Sequence, residues 1–293
     1  MPKYNIKIEN KIINTESQLR IATINIMLDE FLLPERIQHL TQEIETLNPD
    51  ILCLQEVNTN TSTDIVKLIA EKLNYQSTFT SKPATNKHTT VNAILTKTPN
   101  TKFKNINLKL QTETHKYPDT IHATLTHNNT ETHIITTHLP WGTFNGPVRY
   151  KQAIAVNKLA ETITKNNPEA IIVLAGDLNA KETETTIQYL KGQHYLNDQT
   201  GTLWTDAWEI KGTENNWTTT DPKTKLGRHT AANVNIEHPT LVPTRRIDYI
   251  LIYGWVYGKK GTPLNYIRWA DTPNSEGYTP SDHYGICTDI YIP

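Results

Sequence analysis

Strand-like runs of β-branched and aliphatic residues recur along the chain, and several end in a side chain that ionises or hydrogen-bonds. IATI leads into Asn25, ILCLQ into Glu56, IITT into His138 and IIVLAG into Asp177, with Asn179 just beyond; Asp248 lies within RRIDYIL, and Asp282 and His283 open the final run. Short apolar runs of this kind suit buried strands. Singly, each polar end has an ordinary explanation, because Gly, Asp and Asn are common turn formers. Together they suit a catalytic site, since sites in layered α/β proteins sit where strands end.

Strands are expected at LRIATINIM, DILCLQEV, YQSTFT, VNAILTK, IHATLTH, THIITTHL, IIVLAGD, RIDYILIY and YGICTDIYI, and the residues around His127-Asn128-Asn129-Thr130 read as a hairpin. Helical stripes interrupt them. After Pro34, the residues Ile37, Leu40, Ile44 and Leu47 recur at steps of three and four until Asn48-Pro49; Ile65, Leu68, Ile69 and Leu73 form a second stripe. A third helix follows Pro147 and carries Val156, Leu159 and Ile163 on one face. Stepping that face backwards reaches Gln152 and Arg149, which therefore point where the core residues point. Arg149 either snorkels at the end of the stripe or has a structural or substrate-orienting role near a site. Helices mixed with hairpins indicate an α/β protein whose sheet is not purely parallel.

From Gly192 to Pro243 the chain is rich in Thr, Asn, Gly and Pro, with Trp204, Trp208 and Trp217 scattered through it, so long surface loops are expected there. No linker divides the 293 residues, and one domain over 1–293 is expected. The 29 basic and 30 acidic residues nearly cancel, which gives no electrostatic footprint for long nucleic acid and favours a small or single-stranded substrate. Cys53 and Cys287 both lie in strand-like runs and read as inert core thiols. MPKYNIKIENK lacks the apolar core of a signal peptide and no apolar run reaches membrane-spanning length, so the expectation is a cytoplasmic protein without a membrane span, secretion remaining open for a trimmed chain.

Carboxylates at separate strand ends, Glu56, Asp177 and Asp282, suit a hard cation with oxygen ligands, and the histidines beside them suit phosphate binding or proton transfer. HExxH, paired CxxC, GxSxG, GxGxxG and GxxxxGK[ST] are all missing, so zinc, serine-hydrolase, dinucleotide and nucleotide-triphosphate readings lack support.

In order, TINI, LQEV, THLPWG, GDLNA, RRIDYIL and PSDHYG resemble the signature segments of the endonuclease/exonuclease/phosphatase superfamily, from about Arg20 onward. Within that group, DAWEIKGTENNWTTTD bears a looser resemblance to tyrosyl-DNA phosphodiesterases and their bacterial relatives. Two departures concern packing and substrate contact: Ile24 where many relatives carry an aromatic residue, and His122 where several carry arginine. The resemblance implies a four-layer α/β sandwich, two mixed β-sheets packed face to face with helices outside, and one site at the sheet ends.

It also implies hydrolysis of a phosphate ester by an activated water, with Mg2+ as the metal and Mn2+ as a substitute. Glu56 would be the principal ligand, supported by Asn25, with Asp282 close to the ion. Asp177 would orient and deprotonate the water, and Asn179 would donate to the nucleophile or the phosphate. His138 and His283 would donate to non-bridging oxygens, with Asp248 holding His283; whether His283 or Asp177 is the base stays open. Trp141 and Trp217 are candidates to stack on a base or other aromatic group, although Trp208 and at least one other tryptophan also suit packing under the loop. The leading function is a metal-dependent phosphodiesterase hydrolysing phosphate esters, a nuclease or DNA-end-processing enzyme being one form of it and DNA or RNA candidate substrates, with a phosphatase or sphingomyelinase-like lipid phosphodiesterase as the alternative and a non-catalytic binding protein as the least favoured. No protein partner is expected.

Overall fold

The computed structural model describes residues 17–27, 33–59, 64–83, 90–108, 119–194, 202–213, 217–219, 221, 224–233 and 244–293. The reading of the N-terminal MPKYNIKIENK, and much of that between Gly192 and Pro243, falls outside them.

Two six-stranded sheets form the centre of the molecule. The first contains β1 (Gln18–Asn25), β2 (Ile51–Asn58), β3 (Ser77–Thr80), β4 (Thr90–Thr96), β11 (Ile267–Trp269) and β12 (Gly285–Tyr291), in the order β11-β12-β1-β2-β4-β3. The second contains β5 (Lys102–Ile106), β6 (Thr120–His127), β7 (Thr130–His138), β8 (Ile171–Asp177), β9 (Trp204–Asp206) and β10 (Asp248–Tyr253), in the order β5-β6-β7-β8-β10-β9. Each sheet has one parallel pair, β1 with β2 and β7 with β8, flanked by antiparallel strands. A parallel pair needs a crossover, and helices α1 (Leu33–Leu47) and α3 (Gly146–Asn166) supply it. Both sheets are therefore mixed, as the resemblance implied.

Strand alternation divides the apolar residues into three layers. Leu19, Ile21, Ile51, Cys53, Ile94, Ile134, Val173 and Ile286 meet between the sheets. On the outer face of the first sheet, Ala22, Ile24, Leu52 and Leu54 pack against Ile37, Leu40, Ile44 and Leu47 of α1 and Ile69 of α2 (Ile65–Leu73). On the other side, Ile135, Ile172 and Leu174 pack against Val156, Ala160 and Ile163 of α3 and Ile187 of α4 (Thr185–Leu190). Each such buried side chain contributes about 1.5–3 kcal/mol, and the result is a four-layer sandwich.

The helical stripe of α1 buries as expected. In α2 the buried residues are Ile65, Val66 and Ile69, while Leu68 is exposed, so the apolar face is rotated toward Val66. Arg149 and Gln152 of α3 do point inward and are buried. Asn128 and Asn129 both take positive φ between the paired residues His127 and Thr130, the backbone required by a two-residue hairpin turn. Cys53 and Cys287 are free and buried, and burial pushes both thiols up. Among the described residues, no helix is long and apolar enough to cross a membrane.

Several short elements were not expected: β5, β9, β11, α4, α5 (Ala207–Lys211) and α6 (Lys225–Asn233). The stretch expected to be surface loops thus contains β9, α5 and α6. β9 is anchored by Trp204, buried against Asn157 of α3, and by Asp206, which accepts from Arg246 at 2.7 Å. Trp208 packs on the guanidinium of Arg246, 4.9 Å from the ring centroid.

Gly176 shows how closely β8 must approach β7. Its φ is +145°, and a Cβ there would stand 2.2 Å from the carbonyl oxygen of Thr137, its register partner. Gly176→Ala is expected to destabilise the protein by about 3 kcal/mol through this overpacking. An unchanged denaturation midpoint would contradict it.

Candidate active site

The C-terminal ends of both parallel pairs lie at one edge of the sandwich, and β10 and β12 begin there. Polar residues replace the inter-sheet apolar layer as this edge is approached. Thr23 donates to Gln55 Oε1 at 3.2 Å, and Gln55 Nε2 donates across to Thr136 Oγ1 at 3.0 Å. These residues follow Ile21, Cys53 and Ile134 on the inward faces, so a period of two carries the alternation from apolar to polar. Sequence reasoning passed over Gln55, although its inward register after Ile51 and Cys53 was a usable signal.

One step nearer solvent, Asn25 Nδ2 donates to Glu56 Oε1 at 3.0 Å and to Asp177 Oδ2 at 3.1 Å, linking the sheets. Glu56 occupies an irregularity in the β2–β4 pairing between Leu54 and Val57, with φ +56°. Such a bulge re-aims a side chain. Here Val57 returns to the helix-facing core and the carboxylate of Glu56 faces the site.

His138 Nε2 lies 3.4 Å from Asp177 Oδ2 and 3.7 Å from Glu56 Oε1. Asp177 is buried, and its carboxyl is pushed up to about 6, first by loss of hydration and then by the charge of Asp248; His283, His138 and Asn25 oppose the rise. Asn179 holds this carboxylate from below. Its backbone N–H donates to Asp177 Oδ1 at 2.8 Å, and its amide donates to Leu139 O at 2.9 Å and Asp177 Oδ2 at 3.2 Å.

Asp248 and His283 form a buried pair, with Nδ1 of the imidazole 3.0 Å from Asp248 Oδ2. Burial alone would lower the imidazole pKa. The charge and hydrogen bond of Asp248, reinforced by Asp177 and Asp282, outweigh it and raise His283 well above its ordinary value. Nε2 of His283 is 3.9 Å from Asp177 Oδ2. Ser281 Oγ fixes the approach, donating to Asn25 O at 2.7 Å and accepting from His283 N at 3.1 Å. Asp282, half-buried, accepts from Thr230 Oγ1 at 3.2 Å; burial raises its carboxyl, with Glu56 near enough to add to the rise.

Asn25, Glu56, His138, Asp177, Asn179, Asp248, Asp282 and His283 are thus brought together, while three other sequence candidates lie around them. Arg149 is buried and donates to the carbonyls of Pro140 and Gly142, each at 2.8 Å, and to Glu184 at 2.6 Å, so it braces the loops that follow β7 and β8. The first of those loops carries Trp141, 66% exposed, and Phe144, 96% exposed. Trp217 is half-buried beside the site, its ring 4.6 Å from the guanidinium of Arg268 and 5.2 Å from the ring of Tyr284. Ile24 packs in the outer core of the first sheet, and His122 pairs with His133 at 2.8 Å.

The donor set suits a hard divalent ion. Glu56 and Asp177 supply carboxylate oxygens around the Asn25 amide, with Asp282 near Glu56; separately, Asp177, Asp248 and His283 place ligand atoms within 4.8 Å of one another. Oδ1 of Asp248 is buried without a hydrogen-bond partner.

A model of the Endonuclease/Exonuclease/phosphatase family matches residues 22–283. A search of curated protein sequences gives no match. Among solved structures, truncated TDP2 from Caenorhabditis elegans is similar with a TM-score of 0.70 at 21% identity, over 94% of this chain and 97% of that one. TDP2 from D. rerio complexed with a single-strand DNA product is similar with a TM-score of 0.69 at 21% identity, over 94% and 99%. The human Nocturnin catalytic domain gives 0.67 at 20% identity, over 94% and 95%. At these identities the structural likeness establishes the fold.

Proposed function

Because the chain belongs to the Endonuclease/Exonuclease/phosphatase family, we propose that it is a metal-dependent phosphodiesterase, one catalytic domain acting on single-stranded nucleic acid or its ends. The observation that carries this reading is the bridge from Asn25 to both Glu56 and Asp177, with His138 and the Asp248–His283 pair beside it. It sets acceptors for a water's protons next to donors for a phosphate's oxygens.

Glu56, Asn25 and Asp282 would hold Mg2+ or Mn2+, which supplies charge neutralisation at the phosphate. Asp177 takes the proton of the attacking water. Its raised pKa makes it a stronger base than an ordinary carboxylate, and Asn25 and Asn179 fix its oxygens. Asp248 favours the protonated form of His283, which suits it to donate; its Nε2, with that of His138, faces non-bridging oxygens as negative charge develops. These opposite directions favour Asp177 over His283 as the base in this reading. Arg149 contributes by bracing the loop that bears Trp141.

The single-stranded preference draws on the near-zero net charge, on the exposed rings of Trp141 and Phe144, and on similarity to a TDP2 complexed with a single-strand DNA product. A Mg2+-supplemented panel tests it: bis-p-nitrophenyl phosphate against p-nitrophenyl phosphate, then single-stranded, duplex, abasic and 5′-tyrosyl DNA, with sphingomyelin and inositol phosphates. Cleavage of the diester and of single-stranded DNA is expected. Chelator should abolish it, and Mg2+ or Mn2+ should restore it. Preference for the monoester would replace the phosphodiesterase reading with a phosphatase one, and full activity in chelator would remove the metal.

A further inference from the structure

The segment from Trp217 to Thr219 reaches the site from a Thr- and Asn-rich stretch and docks on the strands that carry the Asp248–His283 pair. Thr218 N and Thr219 N donate to Arg245 O at 2.8 and 3.1 Å, Tyr284 N donates to Thr218 O at 2.7 Å, and Thr219 makes β-bridges to Arg245 and His283. Thr218 is wholly buried. Its Oγ1 accepts from Ile247 N at 3.2 Å and Asp248 N at 3.3 Å. Its own proton then has two acceptors in reach, Asp248 Oδ2 at 2.6 Å and Arg245 O at 3.5 Å. The shorter contact, to a charged oxygen, is the stronger. His283 Nδ1 meets that same oxygen at 3.0 Å, while Oδ1 has no partner.

We infer that Thr218 is a positioning residue whose hydroxyl fixes the Asp248 carboxylate so that Oδ2 faces His283 Nδ1, which in turn aims His283 Nε2 into the site. The contribution to rate rests on the proposed phosphodiesterase activity; the orientation of the imidazole does not. With the hydroxyl absent, Oδ2 loses one of its two donors among the described residues and the carboxylate can turn. The segment also carries Trp217, flanked by Arg268 and Tyr284, so one short strap holds both an aromatic surface and the orientation of the pair.

Thr218→Val keeps the shape and removes the hydroxyl; Thr218→Ser keeps the hydroxyl. In the full chain, the His283 Nδ1–H proton is expected as a protected low-field NMR resonance in the parent and in Thr218→Ser. In Thr218→Val it should be lost to solvent exchange while circular dichroism stays native. With Mg2+ and bis-p-nitrophenyl phosphate, Thr218→Val is expected to lower kcat by about tenfold or more with KM nearly unchanged, as misorientation of a reacting group does, and Thr218→Ser to restore it. Should Val prevent folding, Thr218→Cys, whose thiol is a weak donor, carries the same comparison. A resonance and kcat untouched by loss of the hydroxyl would overturn the inference, as would Thr218→Ser failing alongside Thr218→Val. If the parent cleaves no phosphate ester yet the resonance follows the hydroxyl, the positioning role stands and the proposed function falls.

Discussion

Asp177→Asn is expected to lose about a hundredfold or more in turnover and, in chelator, to melt at a higher temperature than the parent. In the proposed mechanism the rate falls because the water loses its base. Stability moves the other way because the parent carboxylate is costly to bury. Its folded pKa of about 6 lies above the value of 3.8 that it has outside the fold. A carboxyl raised by folding favours the folded state while protonated, and that advantage is lost as pH rises from about 4 through 6. Above that window the shift corresponds to roughly 3 kcal/mol of destabilisation in the parent. Asparagine keeps the size and removes the charge, but it also deprives His283 of a neighbouring anion, so a net gain on the order of 1–2 kcal/mol is expected. The gain should be largest at pH 8 and vanish near pH 3. Calorimetry across that range, alongside kcat, checks both parts; a near-normal rate in the folded variant would remove Asp177 from the base role.

His283→Ala should cost a similar factor in rate with the opposite effect on stability. Asp248 is wholly buried, and the imidazolium is its charged partner. Removing one member of a buried pair leaves an uncompensated charge, typically 3–5 kcal/mol. The folded pKa of His283 is raised, so its stabilising contribution is fully present below the ordinary imidazole value and is lost as pH rises through the folded value. The difference in melting temperature between parent and His283→Ala should therefore narrow in alkali. Two substitutions at one site, each stopping the reaction, would then shift the melting temperature in opposite directions. A common structural collapse would lower both.

The clustering of the polar residues was legible because each sits at or near an end of a run whose strand character is local. IIVLAGD becomes β8 and delivers Asp177 with no long-range information needed. The same holds for Asn25, Glu56 and His138, and the inward direction of Arg149 followed from stepping the α3 stripe backwards. What Arg149 grips was not legible, because Pro140, Gly142 and Glu184 come from two loops that meet only in the fold. β9 and β11 are three residues each, too short for any periodicity, and exist through pairing with β10 and β12. Thr218 lies in a Thr-rich stretch that composition reads as loop; its position depends on contacts with Arg245, Asp248 and Tyr284. The half-buried, positive-φ Glu56 likewise gave no warning that β2 bulges there.

The division of the centre between two sheets sets an order on its appearance during synthesis. Asn25 ends β1 and Glu56 lies in the bulge of β2, both in the first sheet, and Asp177 ends β8 of the second, so both carboxylates emerge from the ribosome long before His283. That imidazole immediately precedes β12, which must insert between β11 and β1. In the proposed mechanism, a nascent chain therefore carries Asp177 and His138 before the second phosphate donor, His283. The proposed hydrolytic capacity arrives in one step, when β12 closes the first sheet and brings His283 against Asp248.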